Sequence, residues 1–223
     1  LNMSSEKRFT PALGYSWLTP IYDLAVAVLT RENVWRRRLA RPIRPAPDDR
    51  VVDIGCGTGS LAILIKQQAP GATVVGVDPD PAVLQRAKSK ARAGKVEVVW
   101  RAGFLTADLV REIAPVTKVV SSLVLHQTPL EEKQLILDGA FELLEPGGEL
   151  HIADYGQQHS GMMRFLFRQT VQRLDGIEDT QSNADGVLPD LISKAGFIDI
   201  VESDVIPTLT GSISNYKAKR PKT

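Results

Sequence analysis

A glycine-rich stretch near residue 55 limits the possible folds of this chain more than any other feature. The apolar run 51–54 follows the charged residues 48–50 and is typical of a buried strand. Glycines then stand at alternate positions 55, 57 and 59, and Ser60 begins a segment with helical character. Because glycine has no Cβ, the loop backbone can approach a ligand closely, and the free N–H groups of the first helical turn point at it. A strand, a glycine loop and a helix N-terminus in this order predict a cofactor-binding cradle.

The spacing of the glycines excludes the dinucleotide fingerprint G-x-G-x-x-G. Counted from Gly55 or Gly57, its third glycine would fall on Ser60 or Ala62. The chain has Asp53 followed by G-x-G-x-G instead, which resembles motif I of the class I S-adenosylmethionine (SAM) methyltransferases. The resemblance implies that the Asp53 carboxylate holds the ammonium end of SAM, directly or through water. It also places four loop residues against the cofactor, namely Gly55, Cys56, Gly57 and Gly59. The alternative is a glycine-rich turn that binds no ligand.

Length and composition indicate one α/β domain, or one domain with a small appendage. The chain has 223 residues, of which 43% are hydrophobic and 24% charged, as in an ordinary globular protein. A net charge of +1 gives no indication of nucleic-acid binding. We find no apolar run long enough to span a bilayer and no secretory signal, and the single cysteine, Cys56, fits a reducing compartment. We therefore expect a cytoplasmic protein.

Strand and helix patterns alternate from residue 50 onward. Apolar segments predict four further strands, at 72–78, 96–100, 117–125 and 149–154. Helical patterns lie between them at about 81–91 and 131–144, the second closed by Pro146-Gly147-Gly148. This alternation predicts a parallel sheet with helices on both faces and a ligand at the carboxyl ends of the strands. The segments 197–203 and 208–216 are expected to be antiparallel strands.

The resemblance implies the complete architecture. It is an α/β fold with a Rossmann-like, doubly wound, seven-stranded sheet, mostly parallel with an antiparallel C-terminal strand. Residues 1–47 are expected to form an N-terminal helical cap, and residues 48–223 the SAM-binding domain, with a lid insertion near 156–182. The arginine-rich segment 31–44 predicts either a solvated helix face or a contact with an acidic partner or RNA.

Asp78 is a second expected anchor for the cofactor. It ends the second predicted strand, where a carboxylate can accept hydrogen bonds from both ribose hydroxyls of an adenosyl group. The tetrapeptide 77–80 resembles motif II of the same family, which also places Pro79 beside the cofactor. A helix-capping role for Asp78 ahead of Pro79 is the alternative.

The segment after the third predicted strand departs from the family pattern. Related methyltransferases often carry Gly-Asp-Ala there, with the acid near the adenine amino group, whereas this chain has Gly103 followed by Phe104. A phenyl ring can stack on adenine but cannot accept a hydrogen bond from it. Backbone groups of Gly103 and Phe104 are therefore expected to replace the acid. Tyr22 in the cap is assigned to the cofactor as well.

The end of the fourth predicted strand points to a subgroup. Residues 121–126, Ser-Ser-Leu-Val-Leu-His, resemble motif IV of small-molecule methyltransferases related to the ubiquinone and menaquinone biosynthetic enzymes. The turn 145–148 resembles the Leu-x-Pro-Gly-Gly turn of the same group. Together they imply cofactor contacts from Ser121 and Leu123. The resemblance covers residues 48–155 well, the tail from 185 loosely and the first 47 residues weakly.

His126 is the candidate catalytic residue. An imidazole titrates near neutrality and can take a proton from a hydroxyl, thiol or amine as the methyl group arrives. The alternative is that His126 packs beneath the cofactor or hydrogen-bonds the loop. His151 lies inside a predicted strand and is expected to be structural, and the sequence contains no His/Cys cluster that predicts a metal site.

Aromatic and apolar residues predict where the methyl acceptor binds. The cap and the Met- and Phe-rich segment after the fifth predicted strand favour a flat or lipophilic small molecule. The candidate substrate contacts are Tyr15, Trp17, Asp154, Tyr155, Met163 and Phe167. The alternative is that these residues only cover the sheet.

The sequence therefore predicts a SAM-dependent methyltransferase for a small, lipophilic or aromatic acceptor, with an O, N, S or C nucleophile. An RNA or protein methyltransferase is one alternative, although no Asn-Pro-Pro-Tyr-like motif follows the fourth predicted strand. A non-catalytic SAM-binding module and an NAD(P)-dependent oxidoreductase are the others, the latter disfavoured by the glycine spacing. We expect neither a nucleic-acid partner nor a membrane span.

Overall fold

The computed structural model describes residues 32–223. Within this range one sheet has seven strands in the order β3-β2-β1-β4-β5-β7-β6. The strands are β1 Arg50–Ile54, β2 Thr73–Asp78, β3 Val99–Ala102, β4 Val116–Ser122, β5 Leu144–Tyr155, β6 Ile198–Thr208 and β7 Gly211–Lys219. Most of the expected cap, with Tyr15, Trp17 and Tyr22, lies outside the described residues.

Helices fill the connections between the strands. They are α1 Glu32–Ile43, α2 Ser60–Gln68, α3 Pro81–Ala93, α4 Ala107–Ile113, α5 Leu130–Leu143, α6 Gly161–Gln169, α7 Val171–Asp175, α8 Ile177–Ala184 and α9 Leu188–Lys194. A one-turn 3-10 helix, Leu125–Gln127, follows β4. Of the helices that the structure describes, none combines the length and the apolar character needed to cross a bilayer.

The strand pairing confirms the predicted fold class. Strands β1 to β5 pair in parallel, β7 pairs antiparallel with β5, and β6 pairs antiparallel with β7. The chain proceeds outward from β1 through β2 to β3, then returns to β4 on the other side of β1. This reversal between β1 and β4 opens a crevice at the carboxyl ends of the two strands, the usual place for a ligand in such sheets.

Two apolar clusters cover the two faces of the sheet. Buried residues of α4, α5 and α9 pack on one face, where Leu137 and Ile192 are among the least exposed. Buried residues of α1, α2 and α6 pack on the other, around Trp35 and Phe167. The described part of the expected cap, α1, is therefore anchored to the sheet by Trp35, whose side chain is wholly buried.

Two strand boundaries differ from the sequence expectation for local reasons. The third strand begins at Val99, not at residue 96, because the chain is still leaving α3: the Val96 amide donates to the Ala91 carbonyl, and Lys95 has a positive φ of 51°. The fourth strand ends at Ser122, not at residue 125, because Leu123 turns the chain with a φ of 56°. Both positive φ values are uncommon for residues other than glycine.

The C-terminal half of the sheet is longer than expected. Strand β5 begins at Leu144 and includes the Pro-Gly-Gly turn, across a register shift opposite Val116 and Lys118. Strands β6 and β7 extend to Thr208 and Lys219 and form an antiparallel pair, as predicted. Between β5 and α9 the chain forms α6, α7 and α8; α6 packs on β7 and α8 packs on the 3-10 turn. These three helices occupy the place of the predicted lid insertion.

Candidate functional site

The glycine loop forms the floor of the crevice and has one open side. Gly57 has a φ of 54°, and a Cβ built on it meets no atom within 4 Å. A Cβ on Gly55, by contrast, would lie 2.3 Å from Cγ2 of Val124, in the loop after β4. Gly59 is the N-cap of α2. The backbone at Gly57 is therefore open to a ligand, while Gly55 is pressed against the β4 loop.

Asp53 lies at the base of this loop as an unpaired buried acid. Its side chain is 0% exposed, and neither carboxylate oxygen has a hydrogen-bond partner within the described part of the chain. Burial raises its pKa to about 7, while the charge of Arg36 and the Ala62 amide, which approaches without reaching hydrogen-bond geometry, oppose the rise. A buried carboxylate without a partner is costly to leave in place, so it marks a position where a cation can bind.

Asp78 joins the glycine loop to the end of β2. Its Oδ2 accepts a hydrogen bond from the Gly57 amide at 2.9 Å, and its Oδ1 accepts one from the Asp80 amide at 2.9 Å. Burial raises its pKa, against the effect of these two amides. The cap of α3 is Asp80, which accepts from the amides of Ala82 and Val83, so the capping alternative for Asp78 is wrong. Each Asp78 oxygen retains a lone pair for a ribose hydroxyl.

The other expected cofactor contacts surround the same crevice. Cys56 is buried, which raises the pKa of its thiol, and Pro79 is half-buried. Gly103 donates its amide to the Asp78 carbonyl at 3.0 Å, and a Cβ on it would meet nothing within 4 Å. Phe104, the next residue, is 41% exposed. Gly103 and Phe104 therefore stand at the open rim beyond β3, and their contacts with the cofactor stay predictions.

The loop after β4 forms the opposite wall. The Ser121 hydroxyl donates to the Ile54 carbonyl at 3.0 Å, so it ties β4 to β1 directly below the glycine loop. The Leu123 amide donates to the Ala153 carbonyl at 2.9 Å. Through these bonds and the Val124–Gly55 contact, the structure brings the ends of β1, β4 and β5 together.

His126 lies on the 3-10 turn between two carboxylates. Its Nδ1 is 2.7 Å from Oδ1 of Asp154, and its Nε2 is 3.5 Å from Oδ2 of Asp175 at the end of α7. Burial alone would lower the imidazole pKa, but the two carboxylates outweigh it and raise the pKa to about 9. His126 is therefore protonated at neutral pH, with N–H groups on both sides of the ring.

Asp154 holds the turn that carries His126. It is fully buried, and its Oδ2 accepts from the amides of Val124 and Leu125 at 3.0 and 2.7 Å. Its Oδ1 also accepts from the Tyr155 amide at 2.8 Å. With its oxygens engaged in this way, Asp154 fixes the 3-10 turn from below. The expected contact between Asp154 and a substrate stays a prediction.

The expected aromatic and apolar substrate contacts lie behind His126. The Tyr155 ring meets the His126 ring edge-on with centroids 4.9 Å apart, and its hydroxyl is 2.6 Å from Oγ1 of Thr210. Phe167 packs 5.2 Å from Tyr155 and is wholly buried, and Met163 is 9% exposed. Tyr155 and Phe167 pack in the apolar cluster on this face of the sheet, and the contacts of all three side chains with a substrate stay predictions.

The chain is similar to known methyltransferases in sequence. Residues 51–148 match the family model described as a methyltransferase domain. A demethylmenaquinone methyltransferase of Thermus thermophilus is 30% identical over 163 residues, which cover 72% of each chain. The chain belongs to the class I SAM-dependent methyltransferases.

A second curated protein and one solved structure are also similar to this chain. A trans-aconitate 2-methyltransferase of Streptomyces coelicolor is 28% identical over 78% of this chain and 59% of its own length. The fold is similar to that of a magnesium protoporphyrin IX methyltransferase of Synechocystis, crystallised with bound S-adenosylhomocysteine (SAH). The TM-score is 0.63 at 21% identity, covering 85% of this chain and 81% of the other. The cofactor of this methyltransferase is SAM.

The residues of the crevice fit this cofactor. The unpaired buried carboxylate of Asp53 would suit an ammonium group, and the free lone pairs of Asp78 would suit ribose hydroxyls. The open side of Gly57 leaves room for the ligand against the loop backbone. A carboxylate for the cation, acceptors for the hydroxyls and an unobstructed loop are the features that a SAM site needs.

Sequence patterns missed several residues of the site. Arg36 comes from α1, and its charge acts on Asp53; burial lowers its pKa to about 10. The ring of Trp100 packs beneath the loop, close to Gly59 and Gly76. Asp175 reaches His126 from the insertion. The only sequence signal for Arg36 was its neighbour Trp35, a large apolar residue that is expected to pack on the sheet. No local sequence pattern indicated Trp100 or Asp175.

Proposed function

We propose that this methyltransferase transfers the methyl group of SAM to a small lipophilic or aromatic acceptor. The observation that carries the proposal is the set of exposed apolar side chains on α6, α7 and α8, the segment from which Asp175 reaches His126. Four large apolar side chains there are exposed to solvent: Met162 by 66%, Phe165 by 59%, Leu174 by 61% and Ile177 by 61%. Exposed apolar side chains grouped on one segment are typical of a surface that receives a lipophilic ligand.

The names of the two curated relatives support a small acceptor. One is named for demethylmenaquinone and the other for trans-aconitate, and both are therefore small-molecule enzymes by name. The two acceptors differ in chemistry, one a quinone derivative and one an acid. The choice among small acceptors therefore rests on the residues of this chain around His126.

The residues of this chain contribute orientation and exclusion of water. Asp53 and Asp78 would hold the two ends of the cofactor, which supplies an electrophilic methyl group when bound. Asp154 fixes the turn that carries His126, and α8 covers that turn. Since methyl transfer is a displacement with a good leaving group, alignment of the acceptor supplies much of the rate. His126 is protonated at neutral pH, so it would donate hydrogen bonds to the acceptor and would not remove a proton.

A binding measurement tests the cofactor half of the proposal. Titration calorimetry of the purified chain with SAM, SAH, NAD and NADP should detect binding of the first two alone. The Asp48→Asn variant is a control for substitutions of Asp53 and Asp78, because Asp48 is an exposed acid that precedes β1 whereas the glycine loop follows it. This variant should bind SAM as tightly as wild type. Binding of NAD without binding of SAM would contradict the proposal.

An acceptor panel tests the substrate half. Labelled SAM is incubated with the enzyme and, in separate reactions, with lipophilic phenols, a quinol, aromatic carboxylic acids, an aliphatic thiol and bulk tRNA. Methyl incorporation is expected into at least one of the lipophilic small molecules and not into tRNA. Incorporation into tRNA with none into the small molecules would show that the acceptor class is wrong.

A further inference from the structure

The contact between His126 and Asp175 carries an inference about the acceptor itself. We propose that the Nε2–H of His126 binds an ionised oxygen of the methyl acceptor, and that this oxygen takes the place now held by the Asp175 carboxylate. The proposal rests on the proposed function, because the ligand is the acceptor of the same site. It names the acceptor class as a lipophilic acid: a carboxylic acid, or a phenol or enol acidic enough to ionise.

The 3-10 turn that carries His126 lies next to the glycine loop. Val124, two residues before His126, packs against Gly55 of the glycine loop. The turn also stands at the carboxyl ends of β4 and β5, next to the strands that carry the cofactor residues. His126 lies one short turn away from the loop and is covered by the insertion. A group bound to Nε2 would thus take the position of the Asp175 carboxylate at the end of α7.

The hydrogen bonds fix which way each ring nitrogen acts. Asp154 accepts hydrogen bonds from three backbone amides, and its Oδ1 lies 2.7 Å from Nδ1 of His126, so this ring nitrogen is placed to donate to a carboxylate. Nε2 faces a second carboxylate, Asp175, and therefore carries a proton as well. An imidazole with carboxylates on both sides is a donor only. Such a ring binds anions and does not accept a proton from a substrate.

The two carboxylates differ in how firmly they are held. The Asp154 side chain is 0% exposed and lies 2.7 Å from the ring, whereas that of Asp175 is 27% exposed and lies 3.5 Å away. Asp175 is the last residue of α7 and precedes Gly176, which has a φ of 86° and no atom within 4 Å of a built Cβ. Glycine in such a linker allows the end of a short helix to move at low cost. Asp175 is therefore the replaceable partner.

Helix α8, which follows Gly176, is anchored, so a displacement of Asp175 would not move α8. Lys133 is wholly buried in α5, and its Nζ donates to the carbonyls of Thr128 and Asp179, the second at 2.7 Å. This bond holds the first turn of α8 against α5. The linker at Gly176 thus joins a fixed helix to α7, where Leu174 is exposed by 61%. Because Gln172 at the start of α7 donates to Gln181 of α8 at 2.9 Å, an apolar acceptor would displace only the end of α7 that carries Leu174 and Asp175.

The charged groups around His126 determine which charge the bound group of the acceptor should carry. The charged groups that face the His126 cluster are Asp154 from β5, Asp175 from α7, Lys133 from α5 and Asp179 from α8. With Asp175 displaced, the positive charge of His126 has one fewer neighbour to compensate it. An anionic oxygen restores the balance, while a cationic amine would add to the repulsion. The site therefore selects acids over amines.

Matched probes of equal shape test this selection. Calorimetry on the SAH-saturated enzyme compares 2-naphthoate with 2-naphthamide, which differ in the ionised oxygen. We expect 2-naphthoate to bind about tenfold more tightly or better, as for a charge-assisted hydrogen bond. The Asp175→Asn variant should bind 2-naphthoate more tightly than wild type, because its competing carboxylate is gone. The Glu178→Gln variant alters an exposed acid on α8 and should match wild type.

Nuclear magnetic resonance gives a readout that does not depend on activity. The chain has three histidines, at 126, 151 and 159, so the imidazole signals are assignable by single substitutions. In the SAH complex, 2-naphthoate should shift the Nε2–H signal of His126, and 2-naphthamide should not. In His126→Gln, the two probes should bind equally.

The outcomes separate this inference from the proposed function. If SAH does not bind, the assignment of the cofactor site fails. If SAH binds and the two probes have equal affinity for wild type, or if the His126 signal does not respond to 2-naphthoate, the ionised-oxygen inference alone is overturned.

Discussion

The Gly57 amide donates a hydrogen bond of 2.9 Å to the Asp78 carboxylate, so the tip of the glycine loop is tied to the end of β2. The same carboxylate also accepts the Asp80 amide. A ligand that uses the free lone pairs of Asp78 would therefore bind a loop that is already ordered. This arrangement reduces the entropy that the loop loses when the cofactor binds.

Replacement of Asp78 by Ala should weaken both binding and folding. Two amides lose their acceptor, which costs about 1–3 kcal/mol of the free energy of unfolding, and the affinity for SAM should fall by about tenfold or more. Asp80→Ala is the matched comparison: it removes the cap of α3, costs about 1 kcal/mol and should leave the affinity for SAM unchanged. Urea unfolding and calorimetry measure the two effects. An Asp78→Ala variant that binds SAM as tightly as wild type would rule out the ribose contact.

Alanine at Gly57 and at Gly55 should have different consequences. At Gly57 the new Cβ meets no protein atom, so the cost to folding is the positive φ, about 1 kcal/mol, while the Cβ projects toward the cofactor. At Gly55 the new Cβ would collide with the Val124 side chain, so the loop after β4 would have to shift. We expect Gly57→Ala to lose SAM affinity with a small change in melting temperature, and Gly55→Ala to lose more stability. Equal SAM affinity of Gly57→Ala and wild type would place the ligand elsewhere.

Local patterns were sufficient to predict the strand–loop–helix unit around Asp53 and the acid at the end of β2. The alternation of apolar runs and helical patterns predicted a parallel sheet with helices on both faces, because such segments need crossover connections. The antiparallel pair at the C-terminus followed from two apolar segments with a short turn between them. These features depend on residues close to one another in the chain.

Contacts between distant segments were not predictable in the same way. Asp175 meets His126 because α7 folds back over the 3-10 turn, and Arg36 acts on Asp53 because Trp35 anchors α1 on the sheet. The raised pKa of His126 follows from such contacts and could not be predicted from the ordinary imidazole pKa, so the role of His126 as a general base stays a prediction. Packing, which sets these distances, leaves no short sequence signature.

Asp53 should make the folded protein less stable as the pH rises. Burial raises its pKa from 3.8 to about 7, so between these values the folded state keeps a proton that the unfolded state has lost. The free energy of unfolding therefore falls across this range, while the affinity for the cationic ammonium of SAM rises toward pH 7. In Asp53→Asn both pH dependences should weaken. Burial also raises the pKa of Asp78. Because wild type and Asp53→Asn both contain Asp78, its effect on the pH dependence cancels when the two proteins are compared. Identical pH profiles of the two proteins would contradict this assignment.

His126 should contribute stability with a pH dependence of the same sign as that of Asp53, but in a higher pH range. Its pKa rises from 6.5 to about 9 in the folded state, because its two carboxylate partners outweigh the effect of burial. The contribution is therefore complete below pH 6.5 and is lost as the pH rises through about 9. Burial lowers the pKa of Lys133 to about 8, which gives a slope of the other sign above that pH, so wild type must be compared with His126→Gln. Urea unfolding at about pH 6 and pH 9 should show the difference between the two proteins shrinking at the higher pH. A difference that stays constant would mean that the imidazole does not carry the extra proton.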